Sequence, residues 1–327
     1  MLSRINLYNC KNVLISELSI IDSPAWTIHP VYCENVTIKK ISIIQPYESP
    51  NTDRINPESC KNVRILNCFV DCGDDCITIK SSYNEDGRRV GIPCENIVIS
   101  NCTFAHGRSA VGIGSEMSGG VKNLAISNCV FNGTLRGLRI KTNRDRGGTV
   151  ENYRADNIIM SDVETAISID MYYGTKENRP VPVSEKTPYF RNIHISNITA
   201  TDLLNSVQIT GLPEALVEDF SLVNSNFQAE NGLEASFVRE FRISDVRINC
   251  NSGSPLYIHE AKDIEIDNFS TGSSLEDRAI MELKALQEAF IHSCQLSKGA
   301  RVFLESSQSK DIELSNNLLR SSKIVEE

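Results

Sequence analysis

The sequence predicts an all-β chain folded as one right-handed parallel β-helix, a solenoid of roughly ten to twelve coils. Three observations predict it. An eleven-residue phrase recurs along the chain, apolar and polar residues alternate within it, and a second alternating register runs between its copies.

The phrase reads CKNVLISELSI at 10–20, CENVTIKKISI at 33–43, CKNVRILNCFV at 60–70 and CENIVISNCTF at 94–104. Weaker copies follow at 121–131, 190–200, 217–227, 261–270 and 309–319. The strong copies lie 23 to 34 residues apart, a period that signals stacked repeats. Alternation with period two marks strands with one buried face, and Val, Ile, Thr and Phe suit such strands. A repeat made only of short strands cannot bury that face alone, so copies must stack. Asn12, Asn35, Asn62, Asn96, Asn123 and Asn192 share one register and are expected to stack their amides or to form a bend. The best helical candidate is LEDRAIMELKALQEAF at 275–290, and it fits the strand repeat as well. A leucine-rich horseshoe would need an LxxLxL pattern and a helical half, and neither is present. One domain over residues 1–327 is therefore expected, with the catalytic coils at about 36–190 and no N-terminal cap before the first coil.

The second register comprises TIHP at 27–30, RINP at 54–57, TIKS at 78–81, GIGS at 112–115, RIKT at 139–142 and SIDM at 168–171. Ile55, Ile79, Ile113, Ile140 and Ile169 should point inward. Arg54, Asn56, Lys80, Arg139, Lys141 and Asp170 should then share the outer face.

Composition narrows the function classes. The chain has 327 residues, ordinary apolar content and a net charge of −9. It contains no run of about 18 apolar residues, so no membrane-spanning helix is expected. No export signal opens it, which implies a cytoplasmic protein if Met1 is the true start and a periplasmic or secreted one otherwise. Residues 80–146 hold ten Lys/Arg against five Asp/Glu, a balance of +5, leaving −14 elsewhere. A basic middle suits an anionic ligand. The eleven cysteines include Cys10, Cys33, Cys60 and Cys94 at one repeat position, which reads as a buried row. Clustering of the kind that binds metal is lacking.

Two loop-rich coils depart from the repeat. One carries DCGDDC at 71–76 and SSYNEDGRRVGIP at 81–93, the other DMYYGTKENRPVPVSEKTP at 170–188. Asp53 in NTDRINPESC lies one coil before Asp74 and Asp75. Coils stack about 4.8 Å apart, so the three carboxylates can meet. Each aspartate alone reads as a turn residue; together they suit a glycosidic acid and base. His106 can bridge to them, Arg139 and Lys141 can grip an anion, and Tyr173, rather than Tyr172, can supply a ring.

NTD (51–53), GDD (73–75), HG (106–107) and RIK (139–141), in this order on a β-helix pattern, resemble the polygalacturonase family, glycoside hydrolase family 28. The similarity is strongest over residues 5–200. It implies inverting hydrolysis of α-1,4-linked galacturonic acid in pectic homogalacturonan or its oligomers, with exo action as the expected mode, without metal or cofactor. Asp74 would be the general acid, Asp53 and Asp75 would hold the water, and His106 would tune the acid. Arg139, Lys141, Tyr173, Arg54 and Asn51 would contact substrate. The partner would be a galacturonate-containing saccharide rather than nucleic acid or membrane. Another pectic polymer, rhamnogalacturonan or xylogalacturonan, and a non-catalytic carbohydrate-binding helix are the alternatives. Family members usually have a small residue where Arg54 stands; by alternation Arg54 should face the groove.

Overall fold

The computed structural model describes residues 4–23, 25–48, 53–175, 179–272, 278–295, 300–319 and 322–326. They form a right-handed parallel β-solenoid of about eleven turns, in which all ladder pairings between strands are parallel. Alternation builds the core: along Cys94–Ser100 the inward residues Ile97 and Ile99 are buried while Val98 is exposed. Phe104 packs at a tilt against Phe131 and Phe220 stacks on Phe241, so interior rows of like side chains run along the axis.

The recurring asparagine does both jobs expected of it. Asn12, Asn35, Asn62, Asn96, Asn123, Asn152 and Asn192 adopt φ of 55–60°, turning each coil where few other side chains tolerate the left-handed region. Each amide nitrogen from Asn35 onward donates to the amide oxygen one coil earlier, at 2.5–3.1 Å. The cysteine row is likewise interior: Cys33, Cys60 and Cys94 are buried, Cys10 is half-buried, and all eleven are free thiols.

Two expectations need correction, and one open reading is decided. Of the two readings open for 275–290, the described part takes the strand: Ala279–His292 pairs with both neighbouring coils, Met281 with Leu256 and with Leu304. The 81–93 loop is not all loop: a helix forms at Asn84–Val90, with Glu85 and Asp86 in its first turn, Arg88 and Arg89 in its last, and Gly91 as a left-handed cap. Those charges suit the helix dipole. Finally, the groove-forming rungs slip by two residues at one step: Ile55 pairs with Ile77, not Ile79, and Glu58 with Lys80. A two-residue slip preserves alternation, so Ile55, Ile79, Ile113, Ile140 and Ile169 are all buried as expected.

Candidate active site

Backbone pairing brings the aspartates together. Arg54 N–H donates to Asp75 O and Ile55 N–H to Cys76 O, which sets Asp53 level with Asp75 on adjacent coils. Asp74 sits at the corner beside them, its Oδ1 accepting the Asp75 N–H at 2.9 Å. The motif glycines are there for space. A Cβ on Gly73 would stand 1.8 Å from Tyr47 O, and one on Gly107 would stand 2.7 Å from Asp74 O. Only glycine lets the neighbouring backbones approach this closely.

Asp53, Asp74, Asp75, Arg139, Lys141 and Tyr173 all line one cleft of ≈ 320 Å³. Five further residues complete it: Trp26, Lys80, Arg108, Ser115 and Glu116. Lys80 bridges Asp53 (3.3 Å) and Glu116 (3.2 Å) and lies over the Trp26 ring at 4.1 Å. Lys141 pairs with Asp75 at 2.8 Å, and Thr78 Oγ1 donates to the same oxygen at 3.3 Å. Two cations are thus tied to cleft carboxylates. Arg139 is not paired in this way: it reaches Ser109 Oγ at 3.5 Å and faces the Tyr173 ring at 5.4 Å. Arg108 stands on the rim, 3.9 Å from Asp74.

The carboxylates differ in environment. Burial pushes Asp53 up to about 6; Lys80 pulls against it, and the charges of Asp75 and Asp74 add to the rise. Burial also acts to raise Asp75, but the Lys141 charge and hydrogen bond outweigh it and hold that carboxyl below its ordinary value. Side-chain exposure is 17% for Asp74, 10% for Asp53 and 3% for Asp75. Asp74 is therefore the most accessible of the three to a ligand. Oδ1 of Asp75 has no hydrogen-bond partner among the described residues and can accept from a water.

Not every candidate joins them. His106 Nδ1 pairs with Asp71 Oδ1 at 2.9 Å, its ring edge-on to Tyr47, so it faces away from the cleft and its contact is with Asp71 rather than the trio. Tyr172 turns from the cleft as well and stacks on Arg144, leaving Tyr173 in place. Asn51 lies outside the described residues.

Arg54 requires a correction: it does not face the groove but is buried, with 0% exposure. Alternation assigns a side chain to a face of the sheet; it does not say what covers that face. Arg54 lies at the corner beside Cys72 and Cys76, where Nη1 donates to Thr27 Oγ1 at 3.4 Å. Burial lowers the guanidinium pKa, opposed by the charge and hydrogen bond of Cys72, and Nε and Nη2 meet no oxygen acceptor among the described residues. A buried charge so poorly matched is costly. Arg54→Met is therefore expected to leave the urea midpoint unchanged or to stabilise the fold by about 1–2 kcal/mol. A comparable loss would show that the guanidinium contacts are net favourable.

Of the missed residues, Lys80 and Arg108 had signals: Lys80 occupies the outward position of TIKS, and Arg108 follows the HG pair. Glu116 and Trp26 lie just outside the second-register strands, where alternation gives no direction.

A parallel β-helix with three carboxylates and flanking cations in one groove has the makings of a carboxylate-dependent glycosidase on an anionic saccharide. The family model for glycosyl hydrolases family 28 matches residues 3–229, and the chain belongs to that family. It is 36% identical over 211 residues to a probable polygalacturonase of Vitis vinifera, covering 64% of this chain and 43% of that protein. An endo-polygalacturonase of Pectobacterium carotovorum subsp. carotovorum is 34% identical over 180 residues, covering 54% of this chain and 42% of the relative. The chain thus spans less than half the length of these relatives. Among solved structures, a hyperthermoactive exopolygalacturonase from Thermotoga maritima superposes with TM-score 0.65 at 38% identity, over 69% of this chain and 50% of that one. A family 28 exopolygalacturonase from Yersinia enterocolitica shares the fold with TM-score 0.69 at 21% identity, over 78% and 46%.

Proposed function

We propose that this chain hydrolyses α-1,4-galacturonosidic bonds of homogalacturonan or its oligomers, with inversion, from the chain end. The observation that carries the reading is the cleft itself: Asp53, Asp74 and Asp75 converge beside Arg139, a cation not tied to a cleft carboxylate. Arg139 can take the galacturonate carboxylate in a bidentate grip, with Tyr173 beneath it. Asp74 protonates the glycosidic oxygen as the C1–O bond breaks. Asp53 and Asp75 hold a water, and its proton passes to them as its oxygen bonds to C1. Attack from the opposite face inverts the anomeric centre. The likeness to exopolygalacturonases supports chain-end action. Release of monomer alone from polygalacturonate tests this; a ladder of larger products would refute chain-end action, and no reducing sugar would refute hydrolysis.

A second assignment exchanges the roles of Asp53 and Asp74, and the raised pKa of Asp53 favours it. The pH profile separates the two. A base titrating near 6 must be ionised, so kcat/KM should fall as pH drops through about 6. If Asp53 is instead the acid, activity should fall as pH rises through about 6. The proposed assignment predicts the first.

A further inference from the structure

The groove does not end at the catalytic cleft. Its floor continues along one register column, from Arg139 to Ser168, Gln208 and Glu234, each paired to the next. Three steps of about 4.8 Å place Glu234 about 14 Å from Arg139 along the axis. There a second concavity of ≈ 340 Å³ opens, floored by Gln208, Glu234, Tyr257 and Glu282 and walled by Asn205 and Asn231. The floor continues in the same sense, with Glu282 paired to Glu305 on the next coil.

We infer that this second concavity is a distal saccharide subsite that takes an uncharged pyranose, either a methyl-esterified galacturonate or a neutral sugar. The inference rests on the proposed function only for the direction in which a polymer would lie.

The lining suits a sugar. Asn231 Nδ2 donates to Asn205 Oδ1 at 3.0 Å, which orients both amides along the wall. Tyr257 stacks on His259 with ring centroids 5.1 Å apart, a braced aromatic surface of the kind on which a pyranose face rests. Ser254 Oγ donates to Glu282 Oε1, fixing that carboxylate. Carboxylates and amide oxygens accept hydrogen bonds from sugar hydroxyls.

The same lining disfavours a uronate. Glu234 and Glu282 carry two negative charges against one cation, Arg278. Burial and the charges of Glu234 and Glu282 push Tyr257 above its ordinary value, in keeping with both carboxylates lying near its hydroxyl. A galacturonate carboxylate placed here would meet like charge, whereas at Arg139 it meets a cation. The groove therefore selects charge at one end and rejects it at the other.

Calorimetric titration of the full chain carrying Asp74→Asn, which on the proposed assignment slows cleavage about 1000-fold, tests this. The probes are a methyl-esterified oligogalacturonide, its de-esterified counterpart, a neutral galacto-oligosaccharide and a short galacturonide that reaches only the catalytic cleft. Tyr257→Ala is expected to weaken binding of at least one uncharged probe about tenfold, while Tyr257→Phe preserves it. Glu234→Gln with Glu282→Gln should tighten the long de-esterified probe about fivefold and leave the short one unchanged. Loss of the esterified probe alone identifies that source, and loss of the neutral probe alone identifies the other. Unchanged binding of both uncharged probes in Tyr257→Ala overturns the inference, as does an unchanged long de-esterified probe in the double variant. Turnover of the short galacturonide by the chain without Asp74→Asn is read separately, so failure of the hydrolase reading is not confused with failure of the subsite.

Discussion

Asp74→Asn is expected to lower kcat on polygalacturonate by about 1000-fold, the scale of a lost general acid. The substitution preserves shape: the Asn oxygen can still accept the Asp75 N–H that Asp74 Oδ1 accepts now. Only the transferable proton disappears. The loss should be smaller on a galacturonide with a good leaving group, because such a group departs with less help from an acid. KM should change little, since Arg139 and Tyr173 remain. Activity within about tenfold of the parent on the natural linkage would remove Asp74 from the role of acid and favour Asp53, whose raised pKa already makes it the alternative donor.

The second large effect is on stability. Lys141→Met would leave Asp75, with 3% side-chain exposure, without its partner at 2.8 Å. Removing one member of a buried pair costs about 3–5 kcal/mol, mostly because the remaining charge is desolvated and unpaired. The pH dependence follows from the lowered pKa of Asp75. A depressed carboxyl contributes stability above its unfolded value, about 3.9, and loses it as pH falls through the folded value. In the variant Asp75 can escape only by taking a proton. The urea midpoints of parent and variant should therefore differ most at neutral pH and converge on acidification toward about pH 4. A gap independent of pH would show that packing, not the ion pair, is what Lys141 supplies.

The coil architecture was legible because it is written in short-range pattern. Alternation around Ile97 and Ile99 and the recurrence from Asn12 to Asn192 each report a local geometry that stacking then repeats. The aspartate trio was legible for the same reason, since adjacent coils turn sequence separation into proximity. What lay hidden depended on cover and direction. Arg54 and Arg139 occupy matching positions in the sequence pattern, yet the corner buries Arg54 beside Cys72 while Arg139 stays in the cleft. His106 follows its motif in sequence, but its side chain turns to Asp71. The Asn84–Val90 helix spans seven residues with Gly87 inside, too short for helical periodicity to register, though its end charges and Gly91 cap were present. At 275–290 the apolar spacing fits both periods; stacking on the preceding coil through Met281 decides for the strand.

The measurement that bears most directly on the proposed chemistry is the anomeric configuration of the first product, followed by proton NMR before mutarotation. With Asp74 and the Asp53–Asp75 pair acting as acid and water-holding base, α-linked galacturonan should release the β-anomer first. Initial appearance of the α-anomer, or of an unsaturated product, would contradict the account.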